Sequence, residues 1–160
     1  MYQMPKLATR EMPLFINFER MTPNFNIYDH AGTAQTLSGM MGENGVVLGF
    51  VGDIWNPVNI QRIIWLQKHA HSIHRSGYEL ALIARDKPSA LYGYYVSSLT
   101  PPPFPLLSDL DGTIHRLFEM NDRAGMVVLD STQVAHHKWE MPVDRIWPRL
   151  TDITGILEAA

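Results

Sequence analysis

Cysteine occurs at none of the 160 positions. That absence excludes disulfides, thiolate catalysis and thiolate-ligated zinc or iron–sulfur clusters within the chain. Charge is also sparse, at 18% of residues and a net −3 at neutral pH. With no basic stripe, the surface lacks the electrostatic footprint of a nucleic-acid-binding or anionic-membrane-binding protein. No run of about 18 apolar residues exists to form a transmembrane helix. The opening Met1-Tyr2-Gln3-Met4-Pro5-Lys6 lacks the basic start and apolar core of a secretory signal, so the expected location is cytoplasmic. Internal repeats and low-complexity linkers are missing too. What remains is 46% apolar, a globular composition at a length that suits one core. The organisation read from it is an extension over 1–20, where Leu14, Ile16 and Phe18 alternate as in a short strand, and a single domain over 21–160.

The domain alternates strand and helix signals. Asn24 to Asp29 alternates at period two and stops at His30-Ala31-Gly32, a strand followed by a tight turn, and Thr33 to Met41 reads as a return strand and a short helix. Val46 to Val51 is a continuous apolar, β-branched run, which fits a central strand covered on both faces. Asn56 is a good N-cap, and Pro57 occupies the first helical position, where its missing N–H costs nothing. Ile63, Leu66, Ala70 and Ile73 continue that helix until Gly77, and Glu79 to Ala84 is a second buried strand, completing a βαβ unit. Pro88 to Ser98 predicts another helix. Thr100-Pro101-Pro102-Pro103-Phe104-Pro105 must be extended, because each proline restricts itself and its predecessor. A turn at Asp109 to Gly112, a short helix Ile114 to Phe118, a hairpin from Gly125–Asp130 to Val134–Trp139 and an amphipathic helix over Pro142 to Leu157 complete the pattern.

The frame Trp55-Asn56-Pro57-Val58-Asn59 after a buried strand resembles the W-C-x-x-C site of the thioredoxin superfamily, with asparagine at both cysteine places. Met21-Thr22-Pro23-Asn24-Phe25, Phe104-Pro105-Leu106-Leu107-Ser108-Asp109 with Asp111-Gly112, and Val127-Val128-Leu129-Asp130 are similar to segments of the peroxiredoxin branch, the AhpC/TSA or redoxin group. The resemblance covers roughly residues 20 to 158. It implies an α/β fold in three layers, a thioredoxin-like central mixed sheet of about five strands flanked by helices, with an N-terminal β extension. It further implies an oxidoreductase ancestry and pairing into dimers. Laid on that family's P-x-x-x-T-x-x-C motif, Gly52 takes the proline, Asn56 the threonine and Asn59 the cysteine, while the active-site arginine falls on Ala124 with Arg123 one place away. No catalytic residue is therefore assigned; Gly52, Asn56, Asn59 and Ala124 form a vestigial site.

The candidate binding residues are Asp53, Trp55, Asn56, Asn59 and Arg123. A helix N-terminus offers free N–H groups and a positive dipole end, so the old site is a place for an anion or small polar ligand; equally, Asn56 is a simple cap and Asn59 a filler. Asp53 reads as a turn residue or as an acid/base near the site. His69, His71 and His74 cannot share one ligand set, because steps of about 100° send His69 to the far side of the helix, and His136 and His137 alternate on a strand; no metal and no cofactor is expected. Trp55, Trp65, Trp139 and Trp147 suit core or interface. The leading expectation is a cysteine-less redoxin acting as a binding or protein-interaction module through 52–59, 101–105 and 123–125, as a homodimer with a possible protein partner and without nucleic acid or membrane. The alternative is an antioxidant oxidoreductase using a bound cofactor or a partner's cysteine; a third is a structural subunit of an enzyme whose activity resides elsewhere. An asparagine amide cannot become the oxidisable, recyclable thiolate that peroxide reduction needs. The purified protein with a thiol reductant is expected to consume hydrogen peroxide no faster than the reductant alone.

Overall fold

The sheet grows outward from its most apolar strand. A computed structural model describes residues 21–120 and 122–159; the expected extension over 1–20 lies outside them. Its strands are β1 (Asn26–Asp29), β2 (Ala34–Thr36), β3 (Gly45–Val51), β4 (Tyr78–Ala84), β5 (Leu106–Ser108), β6 (Ala124–Asp130) and β7 (Ala135–Met141), and its helices α1 (Pro57–His74), α2 (Pro88–Ser97), α3 (Thr113–Leu117) and α4 (Leu150–Ala159). All seven strands form one sheet in the order β2-β1-β5-β4-β3-β6-β7. β3, β4 and β5 run parallel, while β6 pairs antiparallel with β3, and β1 with β5. The sheet is mixed, as expected, but wider than five strands. The addition that joins its two halves is β5: Leu106-Leu107-Ser108 is too short for periodicity to reveal, and it inserts between β1 and β4.

β3 is buried at every position, because the sheet is covered on both sides. Val47 and Val51 face a cluster with Ile63, Leu66, Trp147 and Ile153 from α1 and the C-terminal segment. Val46, Leu48 and Phe50 face the other cluster, with Ile114, Phe118 and Met120. Gly45 starts the strand with φ +149°, and a Cβ there would lie 1.9 Å from the Leu129 carbonyl oxygen, so only glycine lets β3 and β6 approach.

The expectation for Pro142 to Leu157 is corrected at its N-terminal half. Helix begins only at Leu150. Pro148 biases Trp147 away from helical geometry, and the Pro142, Arg145 and Ile146 carbonyls bond instead to the Arg62 guanidinium.

Two acidic residues organise the turns. Asp109 and His115 form a buried pair, with His115 2% exposed. The His115 ring nitrogens lie 2.7 Å from Asp109 Oδ2 and 3.0 Å from the Val51 carbonyl, tying α3 to the end of β3. Burial pushes the Asp109 carboxyl up, but the His115 ring and the Ile114 and His115 amides donate to it and bring it below its ordinary value. At the β6–β7 turn, Asp130 accepts from the Thr132 amide and hydroxyl, the Val134 amide and the His136 ring. Partial burial raises its pKa, yet these bonds outweigh that and hold it at about 2. A depressed carboxylate stabilises the fold above its unfolded value and loses that contribution as pH falls through its folded value. Replacing Asp130 with Asn is therefore expected to lower stability at neutral pH, with the deficit shrinking as pH falls from the ordinary carboxyl value of 3.8 to about 2; urea denaturation across that range checks it.

Candidate functional site

The candidate site stands where β3 hands the chain to α1. Arg85 N–H donates to the Gly52 carbonyl at 3.1 Å, and Asp86 accepts the Ile54 amide at 2.9 Å. Asp53 Oδ1 accepts the Trp55 amide at 2.8 Å, so this carboxylate shapes the turn. Asn56 is the N-cap, its side chain accepting the Val58 amide at 3.0 Å, with Pro57 at the first helical position. The Ile60 amide bonds to the Asn56 carbonyl. Of the first helical turn, only the Asn59 N–H has no acceptor among the described residues, and that leaves little of the free amide array an anion would need.

Asn59 and Arg62 are the buried polar centre. Asn59 is 7% exposed and Arg62 5% exposed, both on the apolar stripe that α1 turns inward with Ile63, Leu66 and Ile73. Asn59 Nδ2 donates to the Asp53 carbonyl at 2.8 Å, and its Oδ1 accepts Arg62 Nη1 at 2.9 Å. Arg62 also donates from Nε to the Ile146 carbonyl at 3.0 Å and from Nη2 to the carbonyls of Pro142 and Arg145. Trp147 returns a bond, Nε1 to the Arg62 carbonyl at 3.0 Å, with the guanidinium carbon 5.9 Å from its ring centroid. Among the described residues no carboxylate lies within ion-pair distance of Arg62, and desolvation lowers its pKa.

These residues open onto a pocket of about 680 Å³. Gly52, Asp53, Asn56, Asn59, Arg123 and Ala124 all line it, which brings together every vestigial position and every proposed binding residue except Trp55. Trp55 points elsewhere, 49% exposed, its ring 5.6 Å from that of Tyr94. Arg123 precedes β6 in a turn closed by its amide to the Met120 carbonyl, so strand alternation does not govern its direction. Segment 101–105 does not join the pocket: Pro103 lines a second depression beside His71, His74 and Tyr78. His74 pairs with Glu79 at 3.1 Å, and His69 packs on Trp65. His136 binds Asp130, while His137 packs on Trp139. Sequence reasoning missed Arg62, Met141, Pro142 and Val143. The signal for Arg62 was its place one helical turn after Asn59; the others are brought in by tertiary folding alone.

A mixed sheet with helices on both faces and a site at the β3–α1 junction define a thioredoxin-like fold. The AhpC/TSA family model matches residues 19–140, and the chain belongs to that family. Among solved structures it is similar to the Plasmodium vivax 2-Cys peroxiredoxin (TM-score 0.74, 19% identity, covering 88% of this chain and 79% of that one). It is likewise similar to the yeast mitochondrial 1-Cys peroxiredoxin (0.77, 13%, 91% and 76%) and to a Mycobacterium tuberculosis peroxidoxin (0.69, 18%, 76% and 83%). No curated protein matches the chain.

Arg62 supplies bonds to three carbonyls of the 142–146 segment, and its loss strands them in a partly buried place. An Arg62→Met variant is expected to lose roughly 2–4 kcal/mol of stability, and hydrogen exchange should accelerate in 142–149 before the rest of the domain.

Proposed function

We propose that this chain is a redoxin domain that binds rather than turns over its ligand, using the former peroxidatic pocket as a recognition site. The observation that carries this reading is the fate of position 59. Asn59 is buried, non-ionisable and engaged by both ends of its amide, to Asp53 and to Arg62, while a cavity of about 680 Å³ stays open beside it. A residue merely filling a vacated place would not need an internal cation as its partner. The reading includes a homodimer in the cytoplasm. Exposed Trp55, Tyr92, Val96 and Leu99 support the dimer, because α2 turns Tyr92 and Val96 outward one turn apart and Trp55 packs on its Tyr94.

The test is partner capture and hydrodynamics on the same preparations. Native protein should sediment as a dimer and a Trp55→Glu variant as a monomer, with far-UV circular dichroism unchanged. An Asn59→Leu variant should lose whatever ligand or partner co-purifies with the native chain. Peroxide turnover by the native protein, or identical sedimentation of the two proteins as monomers, would overturn respectively the non-catalytic reading and the dimer.

A further inference from the structure

Arg62 is a positive charge taken out of water and, among the described residues, met only by neutral acceptors. Four of its five N–H groups are used, on Ile146, Asn59, Pro142 and Arg145; the second hydrogen of Nη1, the nitrogen beside Asn59, has no partner among the described residues. The second hydrogen of Asn59 Nδ2 is in the same position. Both residues line the pocket. A buried cation without a counter-charge costs free energy that an incoming anion would offset.

Counting Arg62, the charges at the pocket are two of each sign, Arg62 and Arg123 against Asp53 and Asp122, and depth decides between them. Arg62 is 5% exposed, whereas the Asp122 side chain is 98% exposed and already faces Arg85 at 3.7 Å. Asp53 is exposed and spends Oδ1 on the Trp55 amide. Water and salt screen such rim carboxylates, but screen a buried guanidinium far less. Arg123, exposed at the mouth and in no ion pair among the described residues, adds a positive charge on the approach. The other walls are apolar: Ala124 and Met141, paired across the β6–β7 ladder, with Val58, Pro142 and Val143.

Resting on the binding reading above, we propose that the pocket takes a small organic carboxylate, its head on Arg62 Nη1 and Asn59 Nδ2 and its apolar body against Met141, Pro142 and Val143. The anion supplies a counter-charge that the described residues do not. The cavity is far larger than a carboxyl group, so a bare anion would leave the apolar wall wet.

Titrations of the full chain with hexanoate, hexanol and sodium sulfate, followed by nitrogen–proton NMR, test this. Hexanoate should give saturable shifts at the Asn59 side-chain amide, Arg62 Nε and residues 141–143, with hexanol and sulfate each binding at least about tenfold more weakly. Asn59→Asp keeps an oxygen against Arg62 Nη1 and supplies an internal counter-charge. It should abolish hexanoate binding in a protein whose spectrum remains folded. Arg123→Gln should weaken binding about threefold to tenfold and reduce its salt dependence. Hexanol binding as well as hexanoate, or undiminished affinity in Asn59→Asp, overturns the anion assignment. Silence from all three probes while partner capture still depends on Asn59 overturns the carboxylate proposal and leaves the recognition site standing; silence together with intact capture in Asn59→Leu overturns both.

Discussion

Arg62 holds together two parts of the molecule that are distant in sequence, the start of α1 and the 142–147 segment. Its guanidinium grips the Asn59 side chain one turn earlier on α1 and three carbonyls of the 142–146 segment, and its backbone carbonyl accepts the Trp147 indole N–H. An extended segment without such a donor would have to turn its carbonyls to water. With it, the chain crosses the end of the sheet in irregular form, delivers Trp147 into the α1-side core and only then becomes helix. The pocket exists because this segment forms one wall and the β3–α1 turn the other. Removing the cysteine chemistry of the family thus left a site whose geometry depends on a cation and an amide.

The turn itself is held independently of that chemistry. Asp53, Asn56 and Asp86 satisfy the amides of Trp55, Val58 and Ile54, and the buried His115 bonds to the last carbonyl of β3. In a catalytic redoxin a helix N-terminus favours a thiolate by its unpaired amides and dipole. Here Pro57 has no amide to offer and the cap consumes the next one. The positive potential at this end of α1 comes instead from a side chain, and a side-chain cation can be met by a ligand as readily as by a residue.

Much of the architecture was legible because its signals are local. The uninterrupted Val46–Val51 run announced a strand covered on both faces, Asn56-Pro57 announced the start of α1, and the segments around Phe104–Gly112 and Val127–Asp130 carried the family likeness. Three features were not. β5 is three residues long and owes its place to parallel pairing with β4. The apolar spacing over 142–157 is real, with Trp147, Ile153 and Leu157 all buried, but burial spacing does not imply helix where a proline and a competing donor intervene. The proline-rich 101–105, expected to share a contact surface with 52–59 and 123–125, does not line the pocket they form, and its Pro103 lines a second depression.

Of the site, the vestigial positions Gly52, Asn56, Asn59 and Ala124 and the flanking Asp53 and Arg123 were nameable from motif spacing, and the fold gathers all six around one cavity. That the chain has no cysteine, and so no thiol nucleophile of its own, is a property of composition and needs no structure. Tertiary structure alone decided that Arg62 is buried with no carboxylate beside it among the described residues, that Met141 to Val143 close the pocket and that Trp55 faces away from it. Capping, strand burial and residue chemistry act over a few bonds and can be read along the chain. A cation's counter-charge, or the wall opposite a helix, is set by residues some eighty positions distant, and only folding brings them into contact.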